Sequence, residues 1–175
     1  MKGESPMAAR NVGEVMSKVT SIKVRGEREI VISRTFEARA GTVFDAWTRA
    51  DLVKRWWAPR SHRVTLASCE ADVRAGGSYR YVMRRDTGEE FAFSGQYTEV
   101  NRPSRLAYTQ VFEPMAHLGA AMVTLTLEEQ NGTTHLLLHA LYPSRESRDQ
   151  TVASGMEHGT RETFEQLEEL LVSVA

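Results

Sequence analysis

The chain predicts an α+β fold, in which a strongly curved antiparallel sheet of about seven strands wraps around one long C-terminal helix. Three observations carry this. From Glu29 to Tyr142, segments of period-two alternation succeed one another, separated mostly by hairpin-sized turns. A helical pattern then begins, with Val152, Met156, Phe164, Leu167, Leu170, Leu171 and Val174 spaced by threes and fours on one face. Only two short helical patterns interrupt the strands, both directly after the first. Tight turns imply a meander rather than parallel crossovers, and the sheet's inner face is the one large apolar partner available to the final helix.

Residues 1–19 show no period and few large apolar groups, so they read as a flexible N-terminal tail before a single domain over residues 20–175. The first strand centres on Glu29–Phe36, rich in β-branched residues. Ala40-Gly41-Thr42 breaks it, and Thr42 is positioned to cap a short helix carrying Val43, Phe44, Ala46 and Trp47. A second short helix is expected from Ala50 to Trp57, stopped by Pro59. Strands follow over 62–73, 78–85, 90–100, 104–112, 120–129 and 133–142. Asn131-Gly132 is the strongest hairpin signal among their turns. Ser144 is the expected N-cap of the last helix, which is uneven: its second half is dense in Phe and Leu, while its first half holds Ser154, Gly155, Gly159 and Thr160. A glycine inside a helix costs roughly 1 kcal/mol relative to alanine, so this soft half is expected either to admit a close backbone or to leave room for a ligand.

At 175 residues, 41% hydrophobic and 26% charged, the sequence has an ordinary globular composition. No apolar run approaches the ~20 residues of a transmembrane helix, and the first residues lack a secretory apolar core, so membrane insertion is not expected and the cytoplasm is the expected location. Twenty-two basic against twenty-three acidic residues leave a net charge of −1, without the concentrated basic surface of a nucleic-acid binder. The single cysteine, Cys69, excludes an internal disulfide and reads as a buried thiol.

Several chemical motifs are absent or weak. Gly76-Gly77 precedes a strand rather than a helix, so it reads as a tight turn and not a phosphate loop. There is no Gly-x-Ser-x-Gly elbow, and Cys69 has no evident base. His135 and His139 are four apart on a strand, on one face but ~13 Å from each other, too far to share an ion. His158 and Glu162 lie one helical turn apart and read as a surface pair. No metal set and no cofactor are expected from the spacing.

Seven segments in register carry a resemblance: Arg28–Arg34, Val43–Thr48, Trp56-Trp57-Ala58-Pro59, Asp72–Tyr79, Gly95-Gln96-Tyr97, Arg102–Leu106 and Gly132-Thr133-Thr134. Together they resemble the START-like (SRPBCC) superfamily, in the branch named after the C-terminal domain of the activator of Hsp90 ATPase. The resemblance implies a helix-grip fold with an internal cavity between sheet and C-terminal helix, holding a hydrophobic or amphipathic small molecule such as a lipid, polyketide or aromatic metabolite. Relatives commonly carry Gly at position 58 and Gly-Trp where this chain has Gly159-Thr160, so the pocket is expected to be reshaped there. The aromatic residues agree with such a cavity. The expected ligand contacts are Trp57, Tyr81, Phe93, Tyr97, Gln110, Phe112, Met122, His139 and Met156, with Gly159 and Thr160 from the soft half of the helix. Two other functions follow from the resemblance. One is a polyketide cyclase or dehydratase using a cavity His or Tyr as acid–base. The other is an Hsp90 co-chaperone, disfavoured because the chain has no room for the extra N-terminal domain of the eukaryotic activators. Oligomeric state is not legible.

Overall fold

The computed structural model describes residues 18–175, so the tail expected over residues 1–19 lies outside that range except for its last two positions. Eight strands form one antiparallel sheet: β1 (Ser21–Arg25), β2 (Glu29–Phe36), β3 (Val64–Ala71), β4 (Ser78–Arg85), β5 (Glu90–Asn101), β6 (Arg105–Phe112), β7 (Ala121–Gln130) and β8 (Thr133–Leu141). Their spatial order is β1-β2-β8-β7-β6-β5-β4-β3, a meander whose last strand returns to the first hairpin. The eighth strand arises because the first segment is itself a hairpin, turning at Gly26 with φ +55°. Asn131 and Gly132 both have positive φ, as a two-residue type I′ turn requires.

Alternation decides which residues enter the core. Ile30, Ile32 and Phe36 of β2, Val123, Leu125 and Leu127 of β7, and Leu136 and Ala140 of β8 are all buried in one cluster. The register places Val123 opposite Ala140 and Leu125 opposite Leu138, so these side chains share the concave face. Against them lies α4 (Met156–Ser173), which buries Phe164, Leu167, Leu170 and Leu171. Arg34 also points inward. Its guanidinium is buried and pairs with Glu165 (2.9 Å) and Glu168 of α4, fastening helix to sheet.

The terminal helical pattern is two helices, α3 (Arg145–Ala153) and α4, rather than the one long helix expected. Gly155 is the break: its φ of +81° is a left-handed conformation that costs glycine nothing. Ser144 does cap α3, accepting from the Ser147 N–H at 3.0 Å. The helix after β2, α1 (Ala40–Thr48), starts before Thr42, and its first amide donates to the Glu129 carboxylate of β7 (2.8 Å) instead of to a local cap. The second short helix, α2 (Ala50–Val53), ends four residues before Trp57. A 3-10 turn at Arg60–His62 then precedes β3.

Gly95 positions the site. It sits opposite Tyr79 in the β4–β5 ladder, and a Cβ there would fall 1.8 Å from the Thr109 carbonyl oxygen and 2.9 Å from the Tyr79 ring. Its bare backbone lets that ring cross toward β6, where the Tyr79 hydroxyl donates to the Thr109 carbonyl at 2.7 Å. The Gly76-Gly77 turn spends its amides on backbone: Gly76 N–H donates to Tyr97 O and Gly77 N–H to Arg74 O, both at 2.8 Å.

Candidate functional site

One end of the sheet differs from the rest in what it presents inward. β4 contributes Tyr79 and Tyr81, β5 Tyr97, and β6 Leu106, Tyr108 and Gln110; Trp47 of α1 and Trp57 cover them. The rings interlock through tilted and edge-on contacts, Tyr79–Tyr81 at 5.1 Å, Tyr79–Tyr97 at 5.4 Å and Tyr79–Tyr108 at 5.7 Å between centroids. They enclose a cavity of ≈ 20 Å³, room for about one water.

The hydroxyls are paired with one another or with neighbours: Tyr81 with Tyr97, and Tyr108 with the Trp47 side chain. Burial pushes the phenols of Tyr79, Tyr81 and Tyr108 far above their ordinary value. Burial also raises Tyr97, partly opposed by its hydrogen bond from Tyr81. All four therefore stay protonated at neutral pH and act as hydrogen-bonding groups, not bases. Cys69 is buried beneath them and its thiol is pushed up to about 11, which leaves it unreactive. Gln110 is different. Its side-chain amide lines the cavity and makes no hydrogen bond among the described residues.

The two neighbouring tryptophans also differ. Trp56 is buried and pinned, its indole N–H donating to the Ala46 carbonyl at 2.8 Å, with its ring 4.7 Å from that of Trp47. Trp57 is half-buried at the margin of the core, and its ring meets two others edge-on, Tyr81 at 5.1 Å and Phe93 at 5.0 Å. The loop carrying both is tied to α4 by Gln166, whose amide donates to the Trp56 and Ala58 carbonyls (2.9 Å each) and accepts from the Arg60 N–H (3.0 Å).

Of the eleven residues expected at the site, Trp57, Tyr81, Tyr97 and Gln110 line this cavity. Phe93 and Phe112 stack on each other at 5.0 Å next to it, behind Trp57. Met122 and His139 face the opposite way. Met122 pairs with Leu141 on the outer face and is 46% exposed. On that face the His139 Nε2–H donates to Glu29 at 2.6 Å. No α4 residue lines the cavity, which lies under α1 and the Trp57 turn instead of under the final helix. Met156 packs at the margin of the core. Gly159 borders neither a void nor sheet backbone: the atom nearest to where its Cβ would be is Cε1 of His62, at 3.6 Å. Thr160, half-buried, follows it on the same turn.

Sequence reasoning left Trp47, Tyr79, Tyr108 and Leu106 out of the expected contacts. A signal was available for Tyr79, which is two residues from Tyr81 on one strand and so must share its face. It also read position 62 only as the start of a strand, whereas the fold brings His62 together with His158 and Glu162 across α4 and the 3-10 turn.

Comparison with known proteins agrees with this architecture. The family model for the Activator of Hsp90 ATPase homolog 1-like proteins matches residues 37–172. The chain belongs to that family. A crystal structure from Rhodobacter sphaeroides superposes with a TM-score of 0.81 at 24% identity, covering 88% of this chain and 99% of that one. A solution structure from Arthrobacter aurescens gives 0.77 at 26% identity, covering 87% and 91%. A crystal structure from Mycobacterium smegmatis gives 0.76 at 24%, covering 87% and 96%. Among curated proteins none matches. The family's helix-grip architecture, a curved antiparallel sheet with a C-terminal helix, is the one found here. No helix among the described residues is long and apolar enough to cross a membrane.

Proposed function

We propose that this family member binds a hydrophobic or amphipathic small molecule with a flat apolar body and at least one polar group, in the interior between β4–β6 and Trp47/Trp57. The observation that carries the reading is the Gln110 amide, unpartnered among the described residues beside a ring-lined cavity. Gln110 is half-buried, so its amide is open to a molecule entering the cavity, and a binding site keeps a few such convergent polar groups for its ligand.

A ligand pocket generally needs about 300 Å³ or more, well above the ≈ 20 Å³ present. Opening therefore has to come from a side chain that can leave, and Trp57 is that side chain. It is half-buried, its indole makes no hydrogen bond among the described residues, and it stands between the tyrosines and Phe93. Swinging it out adds its own volume to the cavity and leaves the Trp56–Ala46 anchor intact. Tyr81 and Tyr97 can then exchange their mutual hydrogen bond for one to the ligand.

The cyclase-like alternative draws less support. No histidine is among the residues that line the cavity, and its phenols are held protonated. The binding reading is tested by titrating a panel of fluorescent fatty acids and polyphenols into the purified chain. Saturable binding that weakens at least tenfold in both Trp57→Ala and Gln110→Ala is expected. Absence of binding by every probe, or binding indifferent to both substitutions, would contradict it.

A further inference from the structure

We infer that His62, His158 and Glu162 form a binding site for a borderline divalent transition-metal ion, of which Zn2+ is the type. One ligand atom from each of the three side chains lies within 4.8 Å of the other two. Zinc holds imidazole nitrogen and carboxylate oxygen at about 2.0–2.2 Å, which in a tetrahedron separates the ligand atoms by roughly 3.3 Å. Closing the set onto one ion therefore takes movements of roughly 1.5 Å, within reach of side-chain rotation alone. Both imidazoles are exposed and free to make that movement.

The donor set chooses the ion. Two imidazoles and a carboxylate suit zinc, cobalt or nickel, whereas magnesium and calcium require nearly all-oxygen shells. Three protein ligands leave a coordination position for water, and the exposed location lets it enter.

The scaffold holds the three groups in a way that an incidental surface cluster does not require. His158 and Glu162 are one turn apart on α4, so they project from one face. His62 arrives from the 3-10 turn a hundred residues earlier, and its ring lies against the side-chain-free backbone of Gly159. The Glu162 carboxylate is oriented from behind by Ser61, whose backbone N–H donates to one oxygen at 2.7 Å and whose hydroxyl donates to the other. Each carboxylate oxygen has a second lone pair, so these bonds leave capacity for a metal while fixing the plane of the group. The Arg60 N–H to Gln166 bond and the Arg60–Glu169 ion pair, 3.0 and 2.9 Å, set the turn against the helix before any ion arrives. None of the three residues lines the aromatic cavity, and the inference does not depend on that cavity binding anything.

The test is calorimetric titration of Zn2+ into the full chain, with any affinity tag removed. One ion per chain is expected, and affinity should fall at least tenfold in His62→Ala, His158→Ala and Glu162→Gln. Ser61→Ala, which leaves all three ligands in place, should weaken binding severalfold while keeping the stoichiometry, as a positioning residue does. Substituting His135 and His139, which lie on the outer sheet face, should change nothing. Circular dichroism of each variant confirms that the fold persists. Absence of saturable binding, or affinity unaltered by both His158→Ala and Glu162→Gln, would overturn the inference.

Discussion

The two ends of the sheet are built from the same alternation but filled differently. Around β2, β8 and β7 the inner face is aliphatic, with Ile30, Leu125 and Leu136 at 1% exposure or less, and α4 supplies Leu167, Leu170 and Leu171. Around β4, β5 and β6 the same face carries Tyr79, Tyr81, Tyr97 and Tyr108, a cavity and the Gln110 amide, which has no hydrogen-bond partner among the described residues. Apart from Arg34, whose buried charge is met by Glu165 and Glu168, the β2–β8–β7 end is filled by aliphatic side chains that need no polar partners and hold the helix. Tyrosines bring apolar area together with hydroxyls that need partners and can change them. The difference assigns stability to one end and adaptability to the other.

The largest effect should come from the aliphatic end. Leu167 is fully buried, and Leu167→Ala should destabilise the protein by about 2–5 kcal/mol in a denaturant melt. An effect below about 1 kcal/mol would mean that α4 is not the clamp described. Gln166→Leu removes three hydrogen bonds and leaves the Trp56 and Ala58 carbonyls and the Arg60 amide to find others. A loss of about 2–3 kcal/mol is expected, with faster hydrogen exchange concentrated in residues 56–62. Uniformly faster exchange would count against a local clamp.

At the aromatic end the changes should be smaller in stability and larger in binding. Tyr81→Phe deletes one hydroxyl and should cost about 1 kcal/mol, while altering the affinity of any polyphenol that binds. Gly159→Ala, on α4 and away from the cavity, should go the other way. The added methyl would meet only His62, at ordinary contact distance, so up to ~1 kcal/mol of helix stabilisation is expected in a thermal melt.

The smallest effect is electrostatic and lies outside both regions. The Arg25 guanidinium first, and the His139 ring second, hold Glu29 at about 2, below its ordinary 4.5. A carboxylate lowered in the folded state stabilises above the unfolded value, and that contribution fades as pH falls from 4.5 toward about 2. Glu29→Gln should therefore lower stability slightly at neutral pH, and its difference from the parent chain should close as pH falls from 4.5 toward about 2, which flattens the acid limb. An unaltered acid limb would show that the exposed pair contributes nothing.

How far the sequence could reach differs between the same two regions. The meander, the turns and the Phe–Leu stripe of α4 were legible because alternation and helical period are local. Met122 shares its phase with Thr124 and Thr126, a polar series that points outward, and reading β7 as a whole would have placed it there. β8 offers no such help. Thr133, His135 and His139 share the outward phase, but leucine occurs on both faces, Leu136 and Leu138 inward and Leu137 and Leu141 outward, which blurs the alternation that would have oriented His139. The gap in the final helix was visible as glycines, but their roles differ: Gly155 makes a break, and Gly159 receives His62 from a turn a hundred residues away. That second role is a tertiary fact with no local trace.

The central claim is that the aromatic end opens to a ligand while the aliphatic end stays closed. It is tested most directly by NMR of the chain titrated with whichever polyphenol or fatty-acid probe binds. The account requires shifts at the Gln110 side-chain amide and the Trp57 indole N–H, with the signals of Leu125, Leu136 and Leu167 unmoved. Shifts confined to the outer face around Met122 and His139, or spread through the leucines under α4, would contradict it.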